Sequence, residues 1–175
     1  MNCLVIAIHH GWQNVYRDPF ETAEDQRAEL AALITQTIQA QKVDLICEEA
    51  DPCQLSIAQQ IAYEHRPRIH WKNIVMSAQE RLDAGIFESL HQRPHRVIEG
   101  DVPGDRRTID RRISEDTIRE QFFATETIRE AKAAGAKNII ILCGDLHADS
   151  LGALLEENGN RVEVNHSLIR QKNWE

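Results

Sequence analysis

The chain lacks the cysteine spacing of a zinc ribbon or a disulfide framework: Cys3, Cys47, Cys53 and Cys143 form no CxxC pair. Three of the four sit inside apolar runs, where a free cysteine behaves as a small hydrophobe. That usage fits a reducing compartment, and a cytoplasmic location is expected. Long apolar runs are missing too. Nothing approaches the roughly 18 apolar residues of a membrane span, and the opening stretch MNCLVIAIHH has no basic segment ahead of its short apolar core. Neither a signal peptide nor a membrane partner is expected. Positive charge is scarce, and a net charge of −8 argues against general nucleic-acid binding or attachment to anionic lipid. The local exception, Arg106, Arg107, Arg111 and Arg112, is interrupted by Asp110 and reads as a solvated face. GxGxxG and P-loop patterns are absent, so no nucleotide cofactor is indicated. No serine or cysteine stands in a GxSxG-like setting.

What is present is a regular succession of strand and helix signals. With 175 residues, the chain is expected to form one domain over residues 1–175, long enough to bury roughly two thirds of its unfolded surface. Its 42% hydrophobic and 27% charged residues are ordinary for a globular protein. Aliphatic runs predict strands at residues 4–8, 43–47 and 138–143, with shorter ones at 95–101 and 161–164. Helical spacing predicts helices over 19–41, from Asp51-Pro52 to about Tyr63, over 77–90, from a Ser114 cap to Gly135, and from Asp145 to Asn158-Gly159. The segment from Arg66 to Met76 fits loop, strand or helix start equally well. Alternating strands and helices with unbroken aliphatic runs predict an α/β fold. Its sheet is mainly parallel and flanked by helices, with room for a small insertion or cap at about 64–116.

In open parallel sheets, ligands bind beyond the carboxyl ends of the strands. The predicted strands end in titratable groups repeatedly: His9-His10, Glu48-Glu49, Glu99 with Asp101, and Asp145 with His147. Adjacent residues of an extended chain point to opposite sides, so only one of Glu48 and Glu49 faces a site, and Glu48 is favoured. Turn chemistry explains Asp101, and Asp145 reads as the N-cap of the last long helix. His147 then lies in the first helical turn, on the face of Leu151, as a structural histidine or as a metal ligand or proton carrier. Glutamate and histidine at one edge suit a divalent metal (Zn²⁺, Mn²⁺ or Co²⁺) with an activated water. They also suit metal-free acid–base work.

The strand running into Gly144-Asp145-Leu146-His147, and the leucine-bearing helix, glycine and strand that follow, resemble the GxxH segment of the TraB/PrgY/Tiki group. LVIAIHH is similar to that group's first strand, VDLICEEAD to its second, and DTIREQFFATETI to its helix bearing an arginine, here Arg119. Residues 65–112 match little. The group's first strand ends in its own GxxH; here the four residues are Ile6, Ala7, Ile8 and His9, without glycine, which leaves His10 as a competitor. The resemblance implies the fold of the erythromycin esterase/ChaN/Tiki superfamily, whose members include hydrolases, metal-dependent proteases and metal or haem binders. It implies His9, Glu48 and His147 as metal or catalytic groups. Arg119 would anchor a carboxylate, which a guanidinium grips with two parallel bonds.

GDLH also matches the D-x-H signature of calcineurin-like metallophosphoesterases, and GDVPGDRR nearly reads as their next motif. That family needs D-x-H on its first strand, whereas here it falls near the end, and short motifs match often by chance. The expectation is therefore a hydrolase, metal-dependent or not, acting on a small-molecule or peptide substrate, with self-association open. His147, Glu48 and Arg119 are its candidate catalytic residues, and His9, His10, Glu48 and His147 its candidate metal ligands. The competing class is a non-catalytic module binding a metal or small ligand through the same residues.

Overall fold

The aliphatic run at the start of the chain forms β1 (Asn2–Ile8), and both of its faces are covered. Cys3, Val5 and Ala7 point into one apolar layer, Leu4, Ile6 and Ile8 into the other. That is why the run is unbroken rather than alternating. The computed structural model describes residues 1–9, 13, 24–65, 67–86 and 106–170, with the side chains of residues 24, 25, 106–112 and 170 outside that description. The remaining strands are β2 (Leu45–Glu48), β3 (His70–Asn73), β4 (Asn138–Gly144) and β5 (Arg161–Asn165). They form one sheet in the order β3-β2-β4-β1-β5, with every pairing parallel. The expected α/β architecture is the one found.

Helices cover both faces. Helices α1 (Glu24–Gln41), α2 (Ile57–Glu64) and α6 (Ser167–Arg170) pack on the side of Leu4, Ile6, Ile46 and Ile140. Helix α4 (Arg106–Ala134) and α5 (Asp145–Glu157) pack on the side of Val5, Cys47, Ile141 and Cys143. A short helix, α3 (Ala78–Asp83), has Ser77 and Glu80 in a reciprocal capping box. The chain therefore leaves β1 and β2 towards one face and leaves β4, which lies between them, towards the other. A crevice opens at the carboxyl ends of strands where successive connections diverge in this way.

Several boundaries differ from the sequence reading. Helix α2 starts at Ile57 on a Ser56 N-cap, because Asp51 and Pro52 are spent on a turn in which Cys53 N–H donates to Asp51 Oδ1 at 2.8 Å. Helix α4 begins at Arg106, so Ser114 lies inside it: nothing in Arg106–Ile113 breaks a helix, and a capping side chain alone does not start one. It does stop where expected, as Gly135 takes φ +64°. Helix α3 ends before Gly85, whose φ of +76° turns the chain. The N-cap of α5 is Gly144, not Asp145, which occupies the first helical position. The undecided segment after Arg66 contains β3. The strand expected at 95–101, with Glu99 and Asp101, lies outside the described residues, as does the start of the helix expected from Pro19.

Candidate functional site

Strand parity decides which glutamate faces which side. Ile46 and Glu48 point to the α2 side, Cys47 and Glu49 to the α4–α5 side. Glu48 is fully buried and accepts hydrogen bonds from Ser56 Oγ at 2.5 Å, Trp71 Nε1 at 2.7 Å and Gln13 Nε2 at 3.2 Å. It is an internal anchor joining β2, β3, the α2 cap and Gln13. The preference for Glu48 is thus corrected: of this adjacent pair, Glu49 is the one that faces His147.

Glu49 extends the β2–β4 ladder by one bond, its N–H donating to Leu142 O at 2.8 Å. Its Oε1 accepts from Arg119 Nη2 at 2.7 Å and its Oε2 from the Gly144 N–H at 3.0 Å. Arg119 also reaches Asp116 one turn back at 3.2 Å, and its guanidinium lies 5.9 Å from the Phe123 ring centroid. Arg119 thus divides its guanidinium between two carboxylates, Nη2 to Glu49 and Nη1 to Asp116.

His147 is buried in the first turn of α5. Its Nδ1 stands 3.0 Å from Glu120 Oε1 and its Nε2 4.0 Å from Glu49 Oε1. An ionised carboxylate only accepts, so the proton at the shorter contact belongs to Nδ1 and a neutral ring keeps Nε2 unprotonated. Phe123 meets the ring edge-on at 5.9 Å between centroids. Glu120 was missed by the sequence reading, yet it left a signal. It lies on the stripe 120-123-124-127-131 of α4, where Phe123, Ala124 and Ala131 are core residues. A glutamate on an apolar stripe needs a partner inside.

The other candidates are dispersed. His9 is exposed at the end of β1, one residue beyond Ile8, which stands opposite Gly144. His10 lies outside the described residues. Asp145 does not share a ligand position with His147: its Oδ1 is 3.0 Å from His166 Nδ1. The D-x-H signature therefore separates in space. Cys143, next to the site, has its thiol pushed up by burial, with the charges of Glu49, Glu120 and Asp145 adding to the effect, so it stays protonated.

Among the described residues, no group of three His, Cys, Asp or Glu side chains is placed to hold a metal ion. Glu49 faces His147 Nε2 with Arg119 already on that oxygen, and Glu120 is bonded to the opposite ring nitrogen, so the three side chains do not converge on one point. The donors among the described residues do not by themselves fit a resident cation. Fold and site together define an α/β protein with a five-stranded parallel sheet and a buried Glu–His–Glu cluster, joined by the partly exposed Arg119, where β2 and β4 end. No family model, curated protein or solved structure matches the chain. Among the described residues no helix is long and apolar enough to cross a membrane.

Proposed function

We propose that this protein is a hydrolase that works by acid–base chemistry centred on His147. The observation that carries the reading is the ring's placement between two glutamates, bonded to Glu120 at 3.0 Å and facing Glu49 across 4.0 Å. A separation of 4.0 Å is too long for a hydrogen bond but within the span of one bridging oxygen. Nε2 would take a proton from a water there as that water attacks an ester, amide or phosphoester, and then return it to the leaving group. Glu120 holds the ring in the competent tautomer and stabilises the imidazolium formed midway. Arg119 fixes Glu49, and its side chain keeps 24% exposure, which leaves this cation accessible to an incoming substrate. The strand–GxxH–helix resemblance to the TraB/PrgY/Tiki group supports a hydrolytic role for His147 alone, since the companions it implies, His9 and Glu48, stand apart from this cluster. The metal-dependent form of the reading would need donors from outside the described residues.

A second reading, a binding module without turnover, is favoured by the fact that both Glu49 oxygens already have donors. The test is turnover of a panel of ester, amide and phosphoester probes by the wild type and His147→Asn. The proposal expects hydrolysis of at least one probe and a loss of roughly 100-fold or more in the variant. Absence of turnover with every probe, or a variant as active as the wild type, would sink it.

A further inference from the structure

The end of β5 carries a second histidine cluster that is independent of the proposed site. His166 Nδ1 lies 3.0 Å from Asp145 Oδ1, and its Nε2 lies 2.9 Å from Asp149 Oδ1. The two aspartates sit one turn apart on the first two turns of α5 and take opposite ends of one imidazole ring. A neutral imidazole has one N–H, so it can satisfy only one of these carboxylates and turns a lone pair towards the other. Both contacts are favourable only for the doubly protonated ring. We propose that His166 is a pH-sensitive clamp, tying the β5–α6 junction to the amino-terminal turns of α5 when protonated and letting go when it loses a proton.

The position makes release consequential. The clamped turns include His147, and α6 beyond the clamp is held otherwise by Leu168 and Ile169 in the apolar layer shared with α1 and β1. Among the described residues, Asp149 and Asp145 are the charged groups acting on the ring. The hydrogen bond to Asp149 is the largest influence raising its pKa, ahead of the opposing effect of burial and the bond to Asp145. The sign follows from linkage. A histidine whose pKa is raised by folding gives its full stabilisation below the ordinary value of about 6.5, and loses it as pH rises through the folded value. The clamp is closed in mild acid and opens on the alkaline side of the usual histidine range.

The test is an NMR titration of the His166 ring with amide hydrogen exchange in α5 and α6, on the full chain. His166 should titrate above the ordinary range in the wild type. Its midpoint should fall towards the ordinary range in Asp149→Asn, and less far in Asp145→Asn. Exchange at residues 145–149 and 166–169, corrected for the intrinsic pH dependence, should step up across the same interval and lose that step in His166→Gln. A midpoint at or below the ordinary value, or an exchange step that persists in His166→Gln, would overturn the clamp. Neither readout requires turnover, so the outcome is separate from the fate of the proposed activity.

Discussion

Glu48 places a carboxylate where no solvent reaches it, and three donors hold it there: Ser56 Oγ, Trp71 Nε1 and Gln13 Nε2. Ser56 Oγ and Trp71 Nε1 would lose this acceptor if the carboxylate were removed, at a cost of about 1–3 kcal/mol per stranded group, whereas Gln13 Nε2 keeps its bond to Glu49 O at 2.8 Å. Glu48→Gln keeps one acceptor oxygen and turns an amide towards the others. It is expected to lower unfolding stability by about 2 kcal/mol in denaturant titrations while leaving turnover per folded molecule unchanged. A loss of turnover without loss of stability would return Glu48 to the catalytic role that the sequence reading assigned it. The choice between Glu48 and Glu49 was half legible. Their opposed directions follow from the extended backbone. Which direction meets His147 depends on which face α4 and α5 cover, and that is a tertiary fact. Arg119 was reached only through a family resemblance, and Glu120 was overlooked although its place on an apolar stripe marked it.

At the scale of elements, the site depends on how closely α5 lies on the sheet. Gly152 sits in the middle of α5, where a glycine costs about 1 kcal/mol relative to alanine. A Cβ there would stand 2.7 Å from Val164 Cγ2 and 3.7 Å from Val162 Cγ1, both on β5. The valine is stiff at χ1, so the contact is relieved only by shifting the helix or the strand. Gly152→Ala should therefore destabilise despite the better helix propensity, by roughly 1–2 kcal/mol. Adding Val164→Ala should recover part of that loss, measured as a positive coupling in a double-mutant cycle. If Gly152→Ala instead raises the melting temperature, α5 is not held at the distance described. The elements best read from sequence, β1, β4 and the end of α5, are those whose apolar pattern and stop signals agree. The errors at α2, α4 and α5 all concern where a helix begins. Asp51, Ser114 and Asp145 are acceptable caps chemically, but local backbone bonds and neighbouring propensities placed the caps elsewhere or removed the need for one.

For the whole molecule, topology does the assembling. With β4 lying between β1 and β2 and its helix leaving on the opposite face, three strand ends converge on one edge. Through Glu49 and the first turn of α5, the chain contributes Glu49 and His147 to that edge. The long helix α4 brings Arg119 and Glu120 across from a distant part of the sequence. Strand-end chemistry pointed to this edge because that rule needs only the order of strands and polar residues. Membership of the cluster needed the third dimension. The central proposal is that His147, held by Glu120, moves protons without a resident metal. Its most direct test is kcat/KM for the best-cleaved probe, measured on chelator-stripped wild type and on Glu120→Gln. The account predicts that stripping leaves the wild-type value unchanged and that Glu120→Gln lowers it roughly 10-fold or more. Turnover that disappears on stripping and returns with added Zn²⁺ or Mn²⁺, or a Glu120→Gln protein as active as the wild type, would contradict it.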